Sequence, residues 1–275
     1  MSKKSRKFQP VQFSFRVFLL ALYAIPILWI ILTSLKSAGD ILDSHHLFFF
    51  KPTIDAYKTA LGNSGFVPAI FQSAIIATGT TFLTLLLAIP AGYALARVNG
   101  IISSVVLATL IILQMTPQTA SIIPLFKLLN DWKLLDNTVG VIFADTALLT
   151  PFAILLMRPF FRTIPIVLEE AAAIDGAGSW LTFRKIALPL SFNGAATTAT
   201  LIFLITWGEF LYSINFFLTP GKYPSSALLA EQVSAYGINW SGLMCLAVIT
   251  SIPILILFLM TYKLLKNGLT LGAVK

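Results

Sequence analysis

The residues with enough chemistry to do work are few, and most lie inside apolar runs. Asp145 and Glu209 are carboxylates placed where charge costs about 2.5–3.5 kcal/mol on insertion scales, so both are functional candidates by default. Asp145 leaves two readings open: a group on a solute path, or a carboxylate hydrogen-bonded to a neighbouring helix or partner subunit. Glu209, near the end of its run, either serves that path or meets water. Trp207, Tyr212 and Asn215 can stack on or hydrogen-bond a polar solute, whereas aromatics at that depth also serve as interface anchors. Gln114 either lines the path or bonds a broken backbone turn near Pro117.

Catalytic and metal chemistry find little support. Cys245 is the single cysteine, and His45 and His46 are adjacent with no cysteine or carboxylate at ligand spacing, so no metal site is expected. The sequence carries no G-x-x-x-x-G-K-[ST] phosphate loop, no H-E-x-x-H pair and no Ser/His/Asp set within the apolar runs. No catalytic residue is assigned, and the chain is not expected to be an enzyme.

The elements that position these residues follow from composition. Of 275 residues, 57% are hydrophobic and 11% charged, against roughly 45–50% and about 25% in soluble domains. Six apolar stretches are long enough to cross a bilayer as helices: Val17 to Leu35, Pro68 to Ala96, Ile101 to Thr116, Thr138 to Met157, Leu190 to Leu211, and Gly242 to Tyr262. Pro117 and Pro124 leave the end of the third open. Backbone groups in lipid must be satisfied within the segment, which demands helices, and no period-two alternation supports a barrel. The expected fold is therefore all-α, a polytopic membrane protein with six transmembrane helices. The apolar core of the first run exceeds that of a cleavable signal, so a retained span is expected.

Net charge +8 is scattered between the runs, which argues for topology rather than nucleic acid. With an inside N-terminus, Lys3, Lys4, Arg6, Lys7, Arg16, Arg97, Arg158, Arg162, Arg184, Lys185, Lys263, Lys266 and Lys275 fall inside; Lys36, Lys51, Lys58, Lys127, Lys133 and Lys222 fall outside. The positive-inside rule places both termini in the cytoplasm. The division is a cytoplasmic segment 1–16, a transmembrane body 17–266 with an inner loop at 165–190, and a cytoplasmic tail 267–275.

That inner loop contains PIVLEEAAAIDG from Pro165 to Gly176. Proline suits a first helical turn, Glu169 and Glu170 favour the positive helix end, alanines are strong helix formers, and Gly176 can take the left-handed conformation that ends a helix. A short helix of about ten residues, near 15 Å long, is expected. It is too short and polar to span a membrane. Two readings fit: an amphipathic helix on the inner leaflet, or a docking helix whose alanines let another protein approach closely. After it, Ser179 opens a second helix, and Pro189 bends the chain as it enters lipid.

Residues 170–189, EAAAIDGAGSWLTFRKIALP, resemble the EAA loop of ATP-binding-cassette (ABC) importer permeases: EAA, three residues, glycine, nine residues, isoleucine, one residue, Leu-Pro. Here these are Glu170, Ala171, Ala172, Gly176, Ile186, Leu188 and Pro189, without a gap. Asp175, Gly176, Ala177 and Phe183 resemble the carbohydrate-importing branch, as do Trp207-Gly208-Glu209-Phe210 and the tail from Gly268 to Lys275; Gly208 replaces that branch's usual asparagine. Gln114-Met115-Thr116-Pro117 and Pro151-Phe152-Ala153-Ile154 add to the likeness, which is closest to the smaller, six-span subunit of maltose-type transporters.

The resemblance implies a type I importer permease in a bacterial or archaeal inner membrane, paired with a second, homologous permease as a heterodimer. Two ABC ATPase subunits binding ATP and Mg²⁺ would lie below it, and an extracytoplasmic solute-binding protein above. Glu169, Glu170, Ala171, Ala172, Asp175, Gly176, Ala177, Phe183, Ile186, Leu188 and Pro189 would then form the ATPase-coupling loop. Gln114, Asp145, Trp207, Glu209, Tyr212 and Asn215 remain substrate-path candidates. An ion-coupled secondary transporter is the alternative class, but no inverted repeat is evident.

Overall fold

A computed structural model of the chain describes residues 10–43, 49–234 and 237–273. The basic cluster Lys3, Lys4, Arg6 and Lys7, the pair His45–His46, and Val274–Lys275 lie outside the described residues, as do the side chains from Lys263 onward. The helices in chain order are α1 (Pro10–Ser34), α2 (Ala38–Leu42), α3 (Asp55–Gly62), α4 (Phe66–Arg97), α5 (Ile101–Met115), α6 (Gln118–Asp131), α7 (Thr138–Arg162), α8 (Ile166–Ile174), α9 (Ser179–Thr182), α10 (Leu188–Leu190), α11 (Phe192–Trp207), α12 (Leu211–Phe216), α13 (Ser225–Glu231) and α14 (Trp240–Ala273). A π-helical turn at Phe183–Ala187 joins α9 to α10. Among the described residues the only strand pairing is a two-residue hairpin, Val233–Ser234 against Gly237–Ile238.

Four helices are long and apolar enough to cross a membrane without a break, within α1, α4, α7 and α14; two bent pairs bring the number to six when each counts as one span. The third run is a helix from Ile101 to Met115, and its open end is a corner at which α5 and α6 meet at 92°. Thr116, forced into extended conformation by the following proline (φ −68°, ψ 122°), makes the corner. Pro124, by contrast, sits inside α6 without ending it. The fifth span is similarly bent, by 72° after Leu190, where Pro189 precedes Ser191 at φ −89°, ψ 4°.

The chain divides into two compact units. The first comprises residues 1–64 and 229–251. Here α1 exposes an almost continuous apolar surface that includes Leu20, Tyr23 and Ile25, and its end is held where Ser34 Oγ and Tyr57 Oη share a hydrogen bond of 2.7 Å. The Lys36 ammonium lies over the rings of Trp29 and Phe50, at 5.2 and 5.0 Å.

The second unit, 65–228 with 252–275, carries the candidate sites. Along α4 the buried positions are mostly small: Ala69, Ser73, Ala77, Thr80, Thr84, Ala88, Gly92 and Ala96 recur at helical spacing. Its large residues Phe71, Ile75, Phe82 and Leu86 point outward. This is the membrane pattern, in which close backbone approach rather than hiding apolar surface drives helix pairing. The small stripe packs along α7 and α11. Ala88, Leu149, Ala153, Ile154 and Ile202 fill the middle of that seam, Met157, Phe161, Phe183 and Ala187 one end, and Val141, Tyr212, Phe216 and Phe217 the other.

At that last end the α6–α7 turn holds Lys133 and Asp136 at positive φ. Asp136 accepts bonds from the backbone N–H groups of Leu218 and Thr219 at 2.9 and 3.1 Å and from Lys222 Nζ at 2.7 Å. The Lys222 ammonium holds this carboxyl far below the usual range; slight desolvation opposes it, and the two backbone donors and the Thr219 hydroxyl reinforce it. The turn closes tightly over the first turn of α7: a Cβ added at Gly140 would lie 2.2 Å from the Leu134 carbonyl oxygen. A backbone oxygen cannot swing aside, so Gly140→Ala must move the turn. The expected cost is about 1–3 kcal/mol, measured as a lower unfolding midpoint in detergent with no loss of helical content.

Candidate functional site

The connection between α7 and α11 builds the first candidate site. Pro165 stands at the N-cap of α8, one residue earlier than the first-turn position expected, and supplies the fixed φ of −59° from which the helix starts. Nine residues later the helix stops at a Schellman motif. The Gly176 N–H donates to the Ala173 carbonyl at 3.1 Å and the Ala177 N–H to the Ala172 carbonyl at 2.8 Å. Gly176 sits at φ +82° with nothing within 4 Å of an added Cβ. Glycine is needed here for backbone conformation, not for space.

The two sides of α8 differ sharply. Ala172 is buried and Glu169 half-buried, while Ile166, Val167, Glu170, Ala171, Ala173 and Ile174 are exposed. Ile174 is 88% exposed and Val167 65%, an apolar surface with one central carboxylate. Asp175 is exposed and Ala177 half-buried at the helix end. Phe183 is buried, packed against Tyr93 with ring centroids 5.0 Å apart. Ile186 and Leu188 are half-buried and Pro189 exposed at the bend into α11.

Glu169 does not share the outward face of Glu170. Its Oε1 accepts from Arg97 Nε at 2.9 Å and from Arg97 Nη2; its Oε2 accepts from Tyr93 Oη at 2.9 Å. Arg97 Nη1 donates also to the Phe161 carbonyl at 3.1 Å and Nη2 to that of Ile164 at 3.4 Å. The last residue of α4 therefore grips the end of α7 and the middle of α8 together. Burial opposes ionisation of Glu169, but the Arg97 and Tyr93 hydrogen bonds and the guanidinium charge prevail and hold its carboxyl below the usual glutamate range. Sequence reading counted Arg97 only as an inside charge and did not single out Tyr93. Their i, i+4 spacing on one face of α4 was the available signal.

The intramembrane candidates do not converge on one place. Asp145 and Glu209 line a cavity of about 280 Å³ together with Gln118, Leu148, Leu149, Ile205, Gly208, Phe210 and Leu211. Asp145 is fully buried, and neither of its oxygens has a hydrogen-bond partner among the described residues. Glu209 is engaged: its Oε1 accepts from Gln118 Nε2 at 2.9 Å and the Tyr212 N–H at 2.7 Å, its Oε2 from the Ser213 N–H at 3.2 Å. It thereby caps α12 and ties it to α6. Gln118, just after the Pro117 corner, is the polar lining residue that sequence reading missed.

The other four lie outside this cavity. Gln114 donates to the Leu148 carbonyl at 3.0 Å. Trp207 is buried and stacks on Phe203 at 5.6 Å, so it is not an exposed interface anchor. Tyr212 is buried, stacks on Phe216 at 5.1 Å and hydrogen-bonds Ser121. Asn215 Nδ2 donates to the Leu211 carbonyl at 2.7 Å.

Residues 88–270 match the family described as binding-protein-dependent transport system inner membrane component. The sulfoquinovosyl glycerol transport system permease of Agrobacterium fabrum is 29% identical over 97% of this chain and 94% of its own. The trehalose transport system permease of Mycobacterium tuberculosis is 30% identical over 91% of this chain and 92% of its own. Among solved structures, a bacterial ABC transporter involved in import of the acidic polysaccharide alginate aligns with a TM-score of 0.76, at 21% identity, covering 96% of this chain and 99% of the other. That likeness is one of fold.

Because the folded pKa of Glu169 lies below its unfolded value, the pair's contribution is complete above about pH 4.5 and is lost as pH falls through the folded value. The protection factors of residues 166–174, taken relative to the intrinsic exchange rate at each pH, are therefore expected to fall on acidification. Glu169→Gln removes that pH dependence and weakens protection already at pH 7, since charge-assisted bonds are worth about 1.5–3 kcal/mol each.

Proposed function

We propose a role for a chain that belongs to the family of binding-protein-dependent transport system inner membrane components: it is the permease subunit of an ABC importer for sugars or sugar derivatives. The observation that carries the coupling part of this reading is α8. Its apolar face around Glu170 is exposed among the described residues, its end is locked by Gly176, and its inner face is braced by Arg97. A free nine-residue amphipathic loop helix would need none of these restraints to lie on a lipid surface. A helix that must transmit force does.

In this reading α8 seats in a groove of an ATPase subunit that carries the nucleotide and Mg²⁺. Glu170 supplies the polar contact there and Ala171 allows close approach; Ala172, expected to do the same, is buried against its own chain, and exposed Ala173 takes its place beside the apolar Ile166, Val167 and Ile174. Nucleotide-driven closure of two such ATPases moves the spans as rigid bodies. The charge asymmetry of the loops supports placing α8 and both termini on the cytoplasmic side. A second, homologous permease completes the solute path, and an extracytoplasmic binding protein delivers the solute.

Support for sugars comes from the trehalose and sulfoquinovosyl glycerol permeases, which match nearly end to end, and from the Asp145–Glu209–Gln118 cavity. Its oxygens are hydrogen-bond acceptors of the kind that sugar hydroxyls satisfy. Asp145 is the candidate contact; Glu209 is the group that holds α12 and α6 in place around it.

The test combines assembly and transport. The tagged chain is expected to co-purify with an ATPase subunit from its own membrane. Gly176→Val places a β-branched residue in left-handed conformation at a cost of about 1–2 kcal/mol, enough to unlock the end of α8. Membrane insertion should persist while uptake of a labelled panel of disaccharides and glycosyl glycerols is lost. Unchanged uptake in that variant, or isolated chain that transports without nucleotide, overturns the reading. Separately, Asp145→Leu is expected to reduce uptake of the transported sugar by more than about tenfold if the buried carboxylate binds a hydroxyl pair, measured as uptake at fixed complex abundance.

A further inference from the structure

A docked helix does useful work only if the rest of the subunit follows it. The loop around α8 offers three routes for that motion. Thr163–Ile164–Pro165 leads back to α7, Gly176 to Gly178 leads on to α9, and the side chain of Glu169 leads across to α4. The two backbone routes leave the helical ladder for a few residues, so even with Pro165 and Gly176 fixed, rotation can be absorbed at Thr163–Ile164 and at Ala177–Gly178. The third is a fork of charge-assisted bonds between side chains only 18% and 13% exposed, the strongest and most geometrically defined of polar contacts.

Four features make this node stiff. The Arg97 guanidinium is held by two backbone carbonyls besides Glu169, so it cannot follow the carboxylate away from the protein. It also lies 5.6 Å from the centre of the Tyr93 ring, which shields its face. Tyr93 bonds the second carboxylate oxygen while its ring packs edge-on to Phe161 at 5.5 Å. Two residues before Arg97, the Leu95 carbonyl accepts from Arg158 Nε at 3.2 Å, adding a second polar link from α4 to α7.

Beyond the node lies a lever. Helix α4 has 32 residues, about 48 Å at 1.5 Å per residue. Near its far end Gln72 Nε2 donates to Thr138 Oγ1 at 2.7 Å, at the start of α7, and Ser73 Oγ meets Ser225 Oγ at 2.8 Å and accepts from the Ser225 N–H, at the start of α13. One continuous helix thus connects the α8 node to two polar contacts at the opposite end of the unit.

We propose that Arg97 and Tyr93 are positioning residues for energy transfer, clamping Glu169 so that displacement of α8 is delivered to α4 instead of being absorbed in the loop. This rests on the reading of α8 as the ATPase-docking helix. It assigns Glu169 to an internal strut and leaves Glu170 as the outward-facing acid.

The experiment is amide exchange on the assembled transporter in nanodiscs, with and without MgATP and vanadate as the probe. In the unsubstituted complex, residues 166–174 and residues 85–97 are both expected to change their exchange rates, by about tenfold, a size common for coupling between sites. In Arg97→Ala, residues 166–174 still respond while residues 85–97 respond less than about twofold. The charge exchange R97E/E169R restores part of the response, which a merely stabilising role in the fold would not require. Tyr93→Phe, which keeps the ring packing and removes one bond, gives a smaller loss and serves if Arg97→Ala does not assemble. A full response at residues 85–97 in Arg97→Ala or Tyr93→Phe overturns the proposal, as does an exchange variant no better than the single one. In the unsubstituted complex, a response at α8 with none at α4 overturns this proposal alone. No response at α8 overturns the docking reading beneath it.

Discussion

In hydrocarbon, a helix gains nothing by hiding apolar side chains from solvent, because the solvent is itself apolar. What remains is close contact between backbones, and that demands small residues along the touching faces. The stripe on α4 from Ala69 through Gly92 to Ala96 meets this demand, and the packing of the second unit depends on it. With α4 against α7 and α11, Met157 and Phe161 are buried at one end of the seam and Val141 at the other. Each neighbourhood then becomes a place where a polar group can be held without water.

The polar groups in those neighbourhoods fall into two kinds. Arg97, Glu169 and Tyr93 satisfy one another and two helix-end carbonyls as well, which makes a compact and directional joint. Glu209 is similarly engaged with Gln118, Tyr212 and Ser213. Of these carboxylates Asp145 is the exception: like the hydroxyls of Thr80, Thr84 and Thr146 it is buried without a partner among the described residues, and it lines a cavity. An engaged carboxylate organises its surroundings, whereas an unengaged one is available to something else. That contrast separates the two carboxylates physically: Glu209 is committed to α6 and α12, and Asp145 is not.

Breaks in the helices carry as much of the design as the helices do. The extended pair Thr116–Pro117 turns what would be a third straight span through 92° and brings Gln118 to the cavity. The interruption at Gly208–Phe210 lets the Glu209 carboxylate reach the free N–H groups of α12. A Cβ added at Gly208 would meet the carbonyl oxygens of Leu204 and Ile205 at an ordinary 3.8 Å, so close packing does not require the glycine. Irregular backbone at these points is tolerated because it lines a cavity and is satisfied by side chains.

Much of this was legible in the amino-acid order alone. Apolar run lengths set the spans, and the Pro165-to-Gly176 stretch set α8 almost to the residue, because each of these signals acts over a few neighbouring residues. Pro117 shows where the third run is interrupted but not at what angle, since proline forbids continuation without dictating direction. Tertiary structure alone decided which glutamate faces out. Glu169 and Glu170 are equal in type and adjacent in order, and only the arrival of Arg97, 72 positions away, turns one of them inward. Such a choice is made by helix packing, and no local pattern encodes it.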